Sequence, residues 1–267
     1  MSPASHRPLL SVENLTAAAT LPQPRPILRG VGFTLAPGQR TGIVGPSGSG
    51  KSMILKALTG FAPPSIEVTG TVALEGADVL ALPAAQRHRL VTATLALLWQ
   101  DSMQSLNPYE TIGTQFTKTL RLHRSLPGDE LRGLAAQWLD RVGLPHPDKV
   151  LRAYPHQLSG GMRQRTMLAM SLCGDQPIVV ADEPTTALDV VRQAECIELI
   201  DELSRGRDRA LLYVSHDLAL TARLCTHVMV VDSGTIVESG TLDEVFGHPQ
   251  HDVTRQLLHG TRKVRPR

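Results

Sequence analysis

Short apolar runs alternate with stretches of helical spacing along most of this 267-residue chain. Leu9 to Leu15 reads as a short strand, and Ile27 to Leu35 alternates imperfectly, as a second half-buried strand does. The Ala- and Pro-rich stretch Ala17 to Pro26 between them predicts a turn region. Thr41 to Val44 is a short apolar strand, and Lys51 to Thr59 a helix stopped by Gly60. Val68 to Leu74 and Leu95 to Trp99 predict further strands. Between Asp101 and Gln157 the texture changes, with Pro and Gly punctuating helix-like stretches. In Asp129 to Val142, the residues Leu131, Leu134, Ala135, Trp138, Leu139 and Val142 fall near helical spacing, which predicts an inserted helical lobe. Alternation then resumes. Ile178 to Ala181, Ala210 to Val214 and Val228 to Val231 read as strands, Val190 to Leu203 and Leu218 to Leu224 as helices. Such alternation predicts an α/β fold with a mostly parallel sheet and helices on its faces.

The chemistry sits where strands end. Gly45-Pro46-Ser47-Gly48-Ser49-Gly50-Lys51-Ser52 matches the phosphate-loop pattern, with an apolar strand before it and a helix after it. Its glycines let backbone N–H groups turn inward around phosphates, and the helix start adds positive potential. Lys51 is expected to reach the β- and γ-phosphates of ATP, and Ser52 to bind Mg²⁺. The strand Ile178 to Ala181 runs into Asp182 and Glu183. One acid at a strand end is more often a helix cap or turn residue. Two in succession, downstream of a phosphate loop, point to a metal-holding Asp182 and a general base at Glu183. Ser159-Gly160-Gly161 opens a predicted helix whose N–H groups and dipole suit an anion.

Composition narrows the class. Hydrophobic residues make up 42% and charged residues 19%, an ordinary globular mixture, while aromatics at 3% leave the core to Leu, Val, Ile and Ala. A net charge of +2 is too near neutral to argue for nucleic acid. Arg262, Lys263, Arg265 and Arg267 read as a solvated tail. Cys173, Cys196 and Cys225 form no CxxC pair, which argues against a zinc or iron–sulfur site and fits a reducing cytoplasm. Met1 to Pro8 lacks the apolar core of a signal peptide, and no segment approaches the roughly 20 apolar residues of a membrane span. A membrane role would therefore come through a partner.

With Leu158-Ser159-Gly160-Gly161-Met162-Arg163-Gln164-Arg165 added, the motif order resembles that of ATP-binding subunits of ABC transporters over nearly the whole chain. The resemblance implies a P-loop NTPase fold with an N-terminal antiparallel β subdomain and an inserted helical signature lobe. It divides a single ABC ATPase domain, 1–267, into a core of 9–100 and 158–247 and a lobe of 101–157, whose signature helix continues to about 173. A C-terminal tail, 248–267, follows.

Further roles are implied only by this likeness. Gln100 would touch the metal and the attacking water and move with the lobe. His216 would contact the γ-phosphate and steady Glu183, Ser159 would meet the γ-phosphate bound by an opposing subunit, and Asp189 would lie in the loop crossing that interface. The implied partners are a second, non-identical ATP-binding subunit, two membrane permease subunits and an extracytoplasmic substrate-binding protein. They place the chain peripherally, on the cytoplasmic face of the membrane.

Gln100-Asp101-Ser102-Met103-Gln104-Ser105-Leu106-Asn107-Pro108, Tyr154-Pro155-His156-Gln157 and the segment from His248 to Arg255 are similar to the peptide/nickel importer group. Within it, the compact N-terminal strand pair, the tail ending soon after Arg255 and the lack of a C-terminal cysteine cluster lean toward nickel or nickel–metallophore import. Di- or oligopeptide import is the alternative, and a non-transport ATPase switch a distant one. Ala17-Ala18-Ala19 occupies the region where many relatives carry an aromatic that stacks on adenine, so weaker base discrimination is expected. Ser102 stands where Pro is usual. His156, His248 and His251 are expected to be solvated or hydrogen-bonded rather than metal ligands.

Overall fold

The structure, a computed structural model, describes residues 7–20, 23–99, 106–185, 190–205 and 208–262, apart from the side chains at 190–192, 261 and 262. The chain divides into two compact units. The first comprises Met1–Leu95, Pro177–Glu183 and Gly206–Arg267. The second comprises Ala96–Gln176 and Pro184–Arg205.

In the first unit, β1 (Leu10–Ala19), β2 (Arg25–Leu35), β4 (Ile66–Leu74) and β5 (Ala77–Asp78) form an antiparallel sheet in the order β2-β1-β4-β5. The predicted turn from Ala17 to Pro26 is corrected here. β1 continues through Ala19, with Ala17 opposite Leu28 on one side and Val68 on the other. Alanine has little strand preference of its own, but a central position supplies backbone partners on both sides, and the small Ala17 side chain is buried. Pro26 lies in β2, an edge strand of this sheet, the position in which a sheet tolerates proline. A register shift between Leu15 and Thr16, which face Val31 and Arg29 of β2, accounts for the imperfect alternation of Ile27 to Leu35.

The same unit holds β3 (Arg40–Val44), β7 (Ile178–Asp182), β8 (Ala210–Val214), β9 (His227–Asp232) and β10 (Thr235–Thr241), which run in the order β10-β9-β3-β8-β7. β3, β7, β8 and β9 are mutually parallel through their neighbours, and β10 returns antiparallel to β9. Every residue of β7 and β8 is buried, which is why both read as unbroken apolar runs. α1 (Lys51–Thr59), α2 (Ala84–Thr94), α8 (Leu218–Leu224), α9 (Leu242–Gly247) and α10 (Asp252–Arg262) complete the unit. The α/β class, with its antiparallel subdomain, is as expected.

Part of the segment taken as a tail is ordered helix. Val253, Leu257 and Leu258 of α10 pack on a buried cluster of Val44, Leu218, Val228, Val230 and Val245. Glu238 of β10 fastens this segment. Its carboxylate accepts from the backbone N–H groups of Gln250 (2.9 Å) and His251 (3.1 Å) and from the Thr254 hydroxyl. Burial pushes the Glu238 carboxyl up, but these bonds and nearby His251 hold it below the usual carboxylate range.

The second unit begins within β6 (Leu95–Leu98) and contains α3 (Ile112–Arg121), α4 (Gly128–Arg141), α5 (Pro147–Arg152), α6 (Gly160–Leu172) and α7 (Val190–Ser204). The helical spacing noted from Asp129 onward is realised in α4, whose Leu131, Ala135 and Leu139 are fully buried. Gln115 of α3 ties down the preceding loop, donating to the carbonyls of Asn107 and Glu110 and accepting from the Asn107 N–H. Among the described residues, no helix is long and apolar enough to cross a membrane.

Candidate phosphate-binding and catalytic site

In the first unit, β3 delivers the chain into the loop from Gly45 to Gly50, and α1 carries it away. Gly45 has φ 155°, and a Cβ there would lie 2.1 Å from the Val231 carbonyl oxygen. Gly50 has φ 110°, and a Cβ would lie 2.9 Å from the Leu28 side chain. Glycine is therefore demanded twice, by conformation and by space. Pro46, Ser47 and Gly48 stay exposed while Ser49 is buried, its carbonyl accepting from the Gly234 N–H at 2.9 Å. No side chain caps the start of α1, so its first-turn N–H groups are left for an anion.

Lys51 turns its ammonium back onto the loop, donating to the carbonyls of Gly45 (2.9 Å) and Pro46 (2.8 Å). Burial lowers its pKa, against the raising pull of Glu183 and Asp182. The Ser52 hydroxyl points to Asp182 at the end of β7, 3.5 Å away. Asp182 is 5% exposed. Burial and the neighbouring Glu183 raise its pKa, while the Ser52 bond, Lys51 and Lys56 pull it back.

Glu183 leaves β7 with φ 44°, a left-handed backbone that costs a non-glycine residue about 1 kcal/mol or more. Its N–H donates to the Val214 carbonyl of β8 at 2.9 Å. Its carboxylate lies 3.2 Å from Nδ1 of His216. The backbone flanking His216 is ordered by its neighbours. The buried Ser215 hydroxyl accepts from the Asp217 N–H, and Asp217 caps α8 by accepting from Ala219 and Leu220.

The residues present fit a magnesium nucleotide. Uncapped N–H groups and a retractable ammonium suit phosphate, and a hydroxyl beside a carboxylate suits a hard cation. Asp182→Asn is expected to stabilise the nucleotide-free protein at neutral pH. The native pKa of Asp182 is raised, so the unfolded chain loses its proton first as pH rises. Stability falls from about pH 4 up to the native pKa, and the cost persists above it. Urea unfolding at pH 7 and at pH 3.5 checks this, with the advantage of the Asn variant expected only at pH 7. A variant less stable at pH 7 would mean that the attraction of Lys51 and Lys56 outweighs burial.

Residues 28–186 match the family model described as ABC transporter. The chain belongs to the ABC transporter family. Among its curated relatives, the metal-staphylopine import system ATP-binding protein CntD of Staphylococcus aureus (strain Mu50) is 34% identical over 256 residues, covering 96% of this chain and 94% of the relative. The oligopeptide transport ATP-binding protein OppD of Haemophilus influenzae is 40% identical over 252 residues, covering 94% of this chain and 78% of the relative. The fold resembles the dimeric, post-hydrolysis ATP-binding cassette MJ0796 bound to ADP and Pi, with TM-score 0.75, 24% identity and coverage of 87% and 98%. The chain is thus an ABC ATPase.

In this cassette, Lys51, Ser52, Asp182, Glu183 and His216 converge within the first unit. Ser159, Gly160 and Gly161 lie in the second unit at the start of α6, where the Ser159 hydroxyl accepts from the Met162 N–H at 3.3 Å. Gln100 and Asp189 lie outside the described residues. His156 stacks on Tyr154 with ring centroids 5.7 Å apart, and Nδ1 of His251 accepts from the Val253 N–H. Sequence reading missed the Ser215–Asp217 hydrogen bond that shapes the backbone on either side of His216. An Asp just ahead of an apolar helical pattern is a cap signal that marks one of the pair.

Proposed function

We propose that this chain is the ATP-hydrolysing subunit of an importer whose cargo is nickel or a nickel–metallophore chelate. The ATPase half of this reading is carried by the convergence, at the ends of β3, β7 and β8, of the Lys51 cradle, the Ser52–Asp182 contact and the Glu183–His216 pair. In the ATP-bound state Lys51 exchanges the loop carbonyls for β- and γ-phosphate oxygens, and the loop N–H groups complete the cradle. Magnesium, when bound, neutralises charge on those oxygens, and Ser52, Asp182 and Gln100 are the residues that would hold it. Glu183 accepts a proton from the attacking water, and His216 holds that carboxylate in place and faces the γ-phosphate. Catalysis is positioning and electrostatics rather than covalent chemistry.

Ser159 and Asp189 act across a cassette dimer, with Ser159 meeting the phosphate held by the opposing cassette. Closure and reopening of that pair drive two permease subunits at the cytoplasmic face of the membrane, and an extracytoplasmic binding protein delivers cargo. The end-to-end likeness to a metal-staphylopine import subunit supports the cargo. Oligopeptide import is the second reading, favoured by the higher identity to an oligopeptide subunit. Uptake of radiolabelled nickel, with and without metallophore, and of a labelled tripeptide separates the two in cells carrying the native system. Nickel uptake that depends on this chain supports the first reading, and peptide uptake alone overturns it.

A further inference from the structure

Arg165 lies less than two turns beyond Ser159, on α6, and its guanidinium joins three elements of the second unit. Nη1 donates to the Val142 carbonyl at the C-terminal end of α4, at 2.9 Å. Nη2 pairs with the Glu195 carboxylate of α7, at 2.8 Å. The first acceptor sits at the negative end of a helix dipole, where a cation is favoured. Gly143 follows at φ 71°, and a Cβ there would lie 2.9 Å from Nη1, so the chain leaves room for the guanidinium.

The α6–α7 contact is close elsewhere too. The cavity lined by Gly161, Leu168 and Leu199 is only about 50 Å³. Beside it, burial pushes the Cys196 thiol up to about 12, against the opposing hydrogen bond with Gln164, so the thiol stays neutral and acts as packing. α6 starts at the signature residues, and α7 starts at Val190, directly after Asp189. One planar fork therefore links the helix behind Ser159 to the helix behind Asp189.

We propose that Arg165 is a positioning residue that makes the starts of α6 and α7 move as one piece when the cassettes close. This rests on the cassette-dimer reading above. Glu195 is 51% exposed and Arg165 31%, so the ion pair itself adds little to stability. The effect belongs in turnover. A lysine cannot serve both acceptors in the same fork geometry, so Arg165→Lys separates charge from shape.

The test uses the full chain in the complex that purifies from its native host, with Arg165→Met, Arg165→Lys and Glu195→Gln. The readouts are kcat, the ADP dissociation constant, and the melting temperature. Arg165→Met is expected to lower kcat about tenfold or more, the scale on which slight misplacement of a positioned group is felt, with ADP affinity changed less than about twofold. ADP affinity is spared because ADP has no γ-phosphate for an opposing Ser159 to meet, and the loop around Lys51 carries it. Arg165→Lys and Glu195→Gln are expected to fall between Arg165→Met and wild type.

Wild-type kcat in Arg165→Met overturns the proposal, as does a parallel loss of kcat and ADP affinity. If Arg165→Met does not fold, wild-type kcat in both other variants overturns it. A parent complex that turns over ATP without any nucleotide-dependent pairing of cassettes overturns instead the dimer reading.

Discussion

Glu183→Gln is expected to lower ATP turnover by about two to four orders of magnitude while leaving ATP bound. The substitution keeps the size and hydrogen-bonding reach of the side chain but removes its capacity to take a proton. The surrounding geometry should survive it. The left-handed backbone at Glu183 is accompanied by the hydrogen bond from its N–H to the Val214 carbonyl, which involves no side-chain atom. Asp182 and Ser52, which would hold the metal, are also untouched. The variant should therefore trap a nucleotide-loaded, closed dimer rather than an empty cassette. Steady-state phosphate release and equilibrium nucleotide binding, measured side by side, separate the two effects. Wild-type turnover in the variant would remove Glu183 from the general-base role, and loss of binding would reassign it to the cradle.

Lys51→Ala is expected to act on the other step. Removing one charge-assisted partner from the phosphates should cost about 2 to 3 kcal/mol, or roughly 30- to 150-fold in ATP affinity. Without nucleotide the ammonium is held by two loop carbonyls in a largely buried position, at a pKa below its ordinary value. In the proposed ATP-bound state it would exchange those neutral acceptors for charged ones, and that exchange is the expected source of the affinity. The same burial has a second consequence. A lysine with a lowered native pKa gains stability as pH rises through that pKa toward the unfolded value of about 10.4. Relative to Lys51→Met, the nucleotide-free wild type should therefore grow more stable on the alkaline side of neutrality. Titration with a fluorescent ATP analogue checks affinity, and unfolding between pH 7 and 10 checks the linkage. Undiminished affinity in Lys51→Ala would contradict the cradle.

The parts of the fold that were legible share a local cause. β3, α1, β7 and β8 read correctly because each is a short apolar run or a periodic helix with a nearby stop, and β7 and β8 are buried on both faces. The phosphate loop was legible because its glycines answer local demands of backbone angle and close approach. The stretch around Ala17 was misread because its strand state comes from β2 and β4 on either side, both outside any local window. α10 was missed because its apolar face acquires meaning only against Val44, Leu218, Val228 and Val230, all distant in sequence.

Identity and spacing alone determined which residues could bind phosphate and metal. A glycine loop before a helix, two acids after an apolar strand, and a Ser-Gly-Gly helix start each carry their chemistry in a few adjacent residues. Residue spacing left open whether Ser52 meets Asp182, and gave His216 beside Glu183 only through the family likeness; the tertiary structure decided both, because parallel pairing of β3 and β7 with β8 sets those strand ends side by side. It also decided that Arg165 spans from α4 to α7. Such meetings depend on long-range register and helix packing, which no short stretch of chain encodes by itself.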